Sequence, residues 1–459
     1  MAFPGANWGI DDKIVFTALE GGGGLFLVSS TGGTPRTLAV PDAQKDDGQF
    51  RSPQILPGGK AAVFTVVSRA DPSHRRIDAL RLDTGERRTL IEDGADPQYL
   101  NTGRLAYLRG QTLMAAPFDL RALRITGSPA AMLDGIRPAW PASESLKAFA
   151  VSPSGSLAYL AGRVGLYERE LVWVDRKGAT RAILADWRPY DDPNLSPDGS
   201  RLAVTIEGEV QNLWVCDLAR GNLTRVTFEA GFDMAPVWSP DSKHLAFTAA
   251  RRGAFALARK SSDGTGSEEV LFSSADRMYP TSWSRDGKFL AFVHVAPETG
   301  WDVWVLPLSG DHKPIPLLRT PFREMSPVFS PDSRWLAYSS DETGRNEVYV
   351  RPFPNEGGRW KISTDGGVQP RWSGNGRELF YRNGTKMLAV DMDTRNGFAA
   401  SQPRLLFEGA YRMNVNLVAA YDVTADGQRF VMQRSRQDAG GDQIHVVLNW
   451  SEEVKRRLK

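Results

Sequence analysis

The 459-residue sequence predicts an all-β fold, β-propeller repeats of four-stranded antiparallel blades, arranged as two propellers of which the second is six-bladed. Three observations carry this. The stretch "PNLSPDGSRLAV" at Pro193 returns as "PVWSPDSKHLAF" at Pro236 and "PVFSPDSRWLAY" at Pro327. Aligned on that turn, ten units follow one another, with turns near Asp11, Pro57, Asn101, Ser152, Ser196, Ser239, Ser284, Ser330, Ser373 and Thr424, at spacings of 43 to 51 residues. Only the tail "SEEVKRRLK" has a helical period; elsewhere short alternating runs prevail.

Each piece of a unit has a physical reason. A first strand ends in a large apolar residue, as at Trp238, Trp283, Phe329 and Trp372. In the turn that follows, Pro240 and Pro331 preset φ, and Asp241 and Asp332 can bond nearby backbone. Gly199 and Gly287 suit a position with φ above zero. An apolar second strand follows, then an alternating third ("NLWVCDL", "WDVWVLPL", "NEVYVRPF") and a short fourth.

A longer period overlies the first. "GRLAYLRGQTLMAAPFD" (103–119) answers "GRELFYRNGTKMLAVDMD" (376–393), and "GSPAAMLDG" (127–135) answers "SQPRLLFEG" (401–409). The offset equals six units, which predicts an incomplete N-terminal propeller of about four blades in residues 1–186 and a six-bladed one in 187–459. By that period the first block is two units short, so the sequence reads as truncated at its start. The last unit has "RFVMQ" and "IHVVLNW" but no convincing fourth strand. An open sheet edge is a hazard, so a strand from residues 171–186 is expected to complete it.

Composition narrows the function classes. Lys and Arg (56) nearly balance Asp and Glu (54), which gives no global attraction to nucleic acid. Apolar runs are strand-sized, too short for a membrane-spanning helix, and the N-terminus lacks signal-peptide character. Cys216 is the single cysteine, expected as a buried thiol in "LWVCDL". No H-R-D, D-F-G or G-x-S-x-G motif occurs, and "EGGGGLFLVSSTGG" lacks the Lys-Ser/Thr of a P-loop. The five histidines are scattered, and "DMDTRNG" has the wrong spacing for a calcium loop. No catalytic residue, metal or cofactor is therefore expected.

The S-P-D-G/S units resemble TolB-like β-propeller repeats, which also occur in tricorn and dipeptidyl-peptidase-type enzymes. The segments "GRNEVYVRPFP", "ISTDGGVQPRWSGNGRELFYRNG" and "VVLNWSEEVKRRL" resemble the C-terminal propeller region of bacterial membrane-anchored serine/threonine protein kinases. This resemblance implies a non-catalytic binding or sensing module, extracytoplasmic within a longer membrane-anchored protein, with the kinase domain absent from this sequence. The alternatives are a substrate-gating propeller of a peptidase and a free periplasmic scaffold. In TolB-like blades the strand before the turn is innermost, so residues leading into it should approach the channel mouth. These are Tyr190, Asp191, Asp233, Met234, Arg277, Tyr279, Arg323, Glu324 and Gln369. Mixed charge, amide and aromatic groups on a rigid rim suit a protein, peptide or small polar ligand.

Overall fold

The computed structural model describes residues 5–9, 12–17, 24–69, 74–136, 149–161, 168–207, 211–229, 231–251, 254–296, 299–354, 357–394, 397–413, 418–435 and 444–458. Residues 20–23 of the glycine-rich run and 395–396 of "DMDTRNG" lie outside them. Among the described residues the chain forms ten antiparallel sheets, and its single α-helix is Trp450–Arg457. Blades are numbered here by their inner strands. Unit 1 holds blades 1 to 4 (Gly5–Trp8, Asp47–Ile55, Ala95–Leu100, Phe149–Val151). Unit 2 holds blades 5 to 10 (Tyr190–Leu195, Phe232–Trp238, Arg277–Trp283, Glu324–Phe329, Val368–Trp372, Asp422–Val423).

In unit 2 each inner strand contacts the next, and that of blade 10 contacts that of blade 5, so the six blades close into a ring. Apolar faces of adjacent blades form the core between them. Ala203 and Val215 of blade 5, for example, cluster with Trp238, Leu245 and Phe247 of blade 6. The long period is visible too: blades 3 and 9 are the two five-stranded sheets, each with an extra strand (Ala130–Leu133 and Arg404–Glu408) on its third strand.

The units do not divide at 186/187. Unit 1 comprises Met1–Leu166 and Gln437–Lys459; unit 2 is Tyr167–Arg436. Blade 10 takes its third and fourth strands, Arg169–Asp175 and Thr180–Ala182, from far upstream, pairing Arg169 with Ser435 through to Asp175 with Arg429. The expected closure from this segment is thus made by two strands. "IHVVLNW" does not belong to blade 10. Ile444–Val447 is instead the third strand of blade 4, paired with Leu157–Leu160. The following helix buries Trp450 and Val454 against Leu100, Leu113 and Phe149 of unit 1.

Among the described residues, seven of the ten inner strands share a bulge. The residue before the proline lies in the left-handed region at Ser52 (φ 48°), Asp96 (52°), Asp192 (48°), Ala235 (57°), Ser326 (50°) and Gln369 (58°). The strand's register shifts at each of these places. In blade 7 Pro280 itself takes the place, and the shift remains. That conformation costs a non-glycine residue roughly 1–2 kcal/mol, so surrounding structure must impose it. The proline after it donates no hydrogen bond, which a bulge tolerates. One extra residue reverses which side chains face which way.

Beside the bulge lies the bond that joins blades. Just beyond it in blades 2, 3, 5 and 7, and at the matching place in the unbulged strands of blades 1 and 10, a polar side chain accepts from a backbone N–H of the next inner strand. Asn7 accepts from Ile55 (2.9 Å), Gln54 from Tyr99 (2.6 Å) and Gln98 from Val151 (3.0 Å) in unit 1. In unit 2 Asn194 accepts from Trp238 (3.2 Å), Ser282 from Phe329 (3.1 Å), and Asp422 from Leu195 (2.7 Å) across the closing seam.

Leu171 is wholly buried among Tyr190, Leu202 and Val431, where the upstream strand seals the ring. Leu171→Ala should destabilise unit 2 by about 2–5 kcal/mol. The half-exposed outer-strand change Leu405→Ala should stay within about 0.5 kcal/mol. Urea unfolding of both variants checks this; equal midpoints would show that the segment does not hold the ring shut.

Candidate functional site: the axial cavity of unit 2

The nine residues expected at the channel mouth lie at the pre-proline end of the ring, and most are consumed by structure. Tyr190 is fully buried and donates its hydroxyl to Asp186 (2.8 Å). Asp191 accepts from Arg412 (2.5 Å), and Asp233 from Arg251 (2.5 Å). Glu324 is buried and accepts from the Thr320 hydroxyl. Arg277 is half-buried, and Arg323 is exposed over the Trp301 ring (5.3 Å to its centroid).

Two blade-spanning contacts explain the burial. Met234 and Tyr279 pack with Ala235 and Val418, the last reaching them from the loop before blade 10. Gln369 clamps that same loop: its amide donates to Val418 O (3.4 Å) and accepts from Ala420 N (3.3 Å), while its carbonyl accepts from the Tyr421 hydroxyl (2.9 Å). Residues 414–417 of the loop lie outside the described residues. The expectation of an exposed rim thus meets a correction at Tyr190, Asp191, Asp233, Tyr279, Glu324 and Gln369, all under 9% exposed.

The open space lies at the other end of the inner strands. A cavity of about 440 Å³ is lined by every blade of the ring. One tier is the residue after the bulge: Asn194, Val237, Ser282, Val328, Arg371 and Asp422. The next tier, nearer the turns, is Leu195, Trp238, Trp283, Phe329, Trp372 and Val423. Sequence reasoning noticed the aromatics of this second tier but assigned them to strand ends. It missed the first tier by one proline, although the X-Pro-X spacing in "DDPN", "MAPV", "MSPV" and "VQPR" was its signal.

The S-P-D-G turns hold the cavity's edge. In blade 5 the Asp198 carboxylate accepts from the Ser196 hydroxyl (2.6 Å) and Ser200 N (2.9 Å), while Ser196 Oγ accepts from Arg201 N (2.9 Å). The same three bonds recur in blades 6, 7 and 8, with Asn375 replacing the aspartate in blade 9 and Thr424 the serine in blade 10. Burial works against ionisation of Asp198, yet the Ser196 and Ser200 bonds bring its pKa down to about 2. Where a serine stands in place of glycine it also ties blades together: Ser242 accepts from Asp198 N (3.3 Å) and Ser333 from Arg285 N (3.0 Å).

The wall's charge is uneven. Asp422 is buried, which raises its pKa against the pull of Arg371, and its oxygens already accept from Leu195 N, Val423 N (2.9 Å) and Asn194 Nδ2 (3.3 Å). Arg371, 5% exposed, has its Nε 3.5 Å from Asp422 without a hydrogen bond there, and donates from Nη1 to Pro370 O (3.3 Å). Arg285 and Arg429 line the edge, and Arg429 lies over the Trp173 ring at 4.7 Å. The cavity has cationic groups at its edge, while Trp238, Phe329 and Trp372, all under 9% exposed, belong mainly to the cores between blades. Among the described residues, no group of three or more His, Cys, Asp or Glu is placed to hold a metal ion.

Residues 175–313 match the family model described as TolB beta propeller domain, PD40. The repeats are TolB-like. The Agrobacterium fabrum protein Atu1656 is 26% identical over 212 residues, 45% of this chain and 70% of that protein. A TolB homolog of Chlorobium chlorochromatii is 30% identical over 32% of this chain and 36% of its own length. The Tol-Pal system protein TolB of Alcanivorax borkumensis is 34% identical over 87 residues, 20% of its length. The chain therefore spans about a third or less of these two TolB relatives. A solved structure of TolB from Acinetobacter baumannii is 16% identical, covers 78% of this chain and 80% of its own, and has a TM-score of 0.41. No helix among the described residues is long and apolar enough to cross a membrane.

The buried pre-proline end carries a pH dependence. Burial and the Asp191 charge push Asp192 up, and burial followed by the same charge raises Glu207. Burial would raise Asp191 as well, but Arg412 and Arg169 hold it low. A carboxyl with a raised folded pKa favours the native state when protonated. That contribution is lost as pH rises from the ordinary carboxylate range of about 4 through the raised value. Wild-type protein should lose urea stability between pH 5 and pH 8 more steeply than Asp192→Asn. Parallel pH profiles would show that Asp192 does not titrate in this window.

Proposed function

We propose that the chain is a non-catalytic binding module whose ligand, a segment of a partner protein, enters the axial cavity of unit 2. The observation that supports it is the two-tier lining: all six blades place one residue at each level around a single space. Walls carried on paired strands are fixed before a ligand arrives, so little ordering free energy is lost on binding. The lining includes three arginines and the part-exposed Trp283, residue types over-represented among binding hot spots. The TolB-like repeats agree with a binding propeller, and one matched relative carries the name of the Tol-Pal system.

Within that reading, the module is the extracytoplasmic sensing region of a receptor-like serine/threonine kinase. The support is the likeness of "GRNEVYVRPFP" and "VVLNWSEEVKRRL" to such regions. The coding sequence upstream of Met1 tests this part: an in-frame kinase domain and membrane helix are expected. A hydrolase encoded in frame downstream would favour a substrate-gating propeller instead.

Site-specific photocrosslinking in the native host tests the cavity. The photoreactive residue p-benzoylphenylalanine replaces Arg285 or Arg429 at the cavity edge, or Leu405 on an outer strand. Discrete protein adducts are expected from the two edge positions and not from the outer one. Adducts formed from position 405 alone would place recognition on the outer surface and end the proposal.

A further inference from the structure

Resting on that reading of the cavity, we infer that its ligand is an acidic, extended peptide segment with aromatic or other bulky side chains. The lining places three arginines (285, 371, 429) against two aspartates (422, 426). The two aspartates are also already engaged. Asp422 accepts from two backbone N–H groups and Asn194, and Asp426 accepts from Thr424 Oγ1 (2.5 Å) and Gln428 N (3.0 Å). Arg371 is less fully engaged, with Asp422 at 3.5 Å as its ion-pair partner. Its guanidinium has five donors, its side chain is almost wholly buried, and its one hydrogen bond to a described residue is to Pro370 O. A planar cation so placed is suited to a carboxylate.

The shape argues for a peptide over a small anion. A second depression of about 540 Å³ shares Trp173, Gly199 and Arg429 with the axial cavity and continues along Leu218, Ala219 and Arg220 of blade 5. Arg220 is 78% exposed and 3.8 Å from Asp217, whose other oxygen accepts from Ala219 N (2.9 Å) and Arg220 N (3.0 Å). A ligand that fills the axis and leaves by this groove passes Arg371, Arg429 and Arg220 in turn. The arginines take its carboxylates, and the part-exposed Trp283 offers a face to an apolar side chain.

A displayed library of random 12-residue peptides, selected on the full chain, provides the probe. Sequencing should show Asp and Glu enriched together with aromatic residues. A synthetic peptide from the selection should bind at least tenfold more weakly when its acids become Gln or Asn. Binding should fall at least tenfold in Arg285→Gln/Arg429→Gln, whose positions are exposed, and in Arg371→Gln, with melting curves recorded for each. Enrichment of neutral or basic peptides that still depend on the cavity would overturn the acidic preference and leave the binding module standing. Absence of any cavity-dependent peptide overturns the inference, as does a single-stranded 12-nucleotide DNA that binds as tightly as the selected peptide and with the same arginine dependence. The crosslinking at positions 285 and 429 stands apart from these outcomes.

Discussion

The hydrogen bond from a backbone N–H of one inner strand to the polar side chain just past the bulge of its neighbour organises the rest of the structure. Inner strands of adjacent blades form no ladder with each other, so this bond, with turn contacts such as Asp198 N to Ser242 Oγ, supplies the polar link between blades. Each such bond contributes only about 0.5–1.5 kcal/mol net, but it fixes spacing as well as adding stability. In blades 2, 3, 5 and 7 that side chain follows the bulge, whereas Asn7 and Asp422 make the same bond from strands without a register shift. Where the acceptor is missing, as at Val237 and Val328, the position is given to apolar surface, and at Arg371 to a cation. The same tier that joins the blades therefore also sets the chemistry of the cavity.

Much of the architecture was legible because its causes are local. The S-P-D-G turn is specified within six residues by a proline, a carboxylate acceptor and a position with positive φ, and each of those bonds is present. The kinship of blades 3 and 9 was visible for a similar reason, since 103–135 matches 376–409, but the fifth strand of each was not expected. The strand exchange was not so visible. Pairing Arg169–Asp175 with Arg429–Ser435 joins segments some 260 residues apart, and Ile444–Val447 alternates equally well as a strand of either blade 4 or blade 10. The sequence could show that an edge needed a partner, and even roughly which segment supplied it, but not that two strands would come.

The exposure of the pre-proline end was misjudged for a different reason. Residues such as Asp191, Asp233 and Glu324 are polar and precede the inner strands, so they looked like a wetted rim. Their partners decided otherwise: Arg412 reaches Asp191 from a distant part of the chain, Arg251 covers Asp233 and Thr320 bonds Glu324. Meanwhile the alternation of the strand changes phase at the bulge. Counting by twos from Tyr190 or Tyr279 therefore gives the wrong face beyond the proline. Trp238, Trp283 and Trp372 end their strands and pack into the cores between blades, with only their edges toward the axis.

The exchange of strands has a consequence for the order in which the chain can mature on the ribosome. Everything that unit 2 needs, from its sealing strands to the last strand of blade 10, is made by residue 436. Unit 1 begins first and ends last, because the third strand of blade 4 and the helix beneath it come after that point. At about 5–20 residues per second, roughly 14 to 56 seconds separate Leu166 from Ile444. Throughout that interval the two-stranded remnant of blade 4 waits for its partner while a whole propeller is synthesised and closed. Translation speed is thereby built into the assembly of this fold.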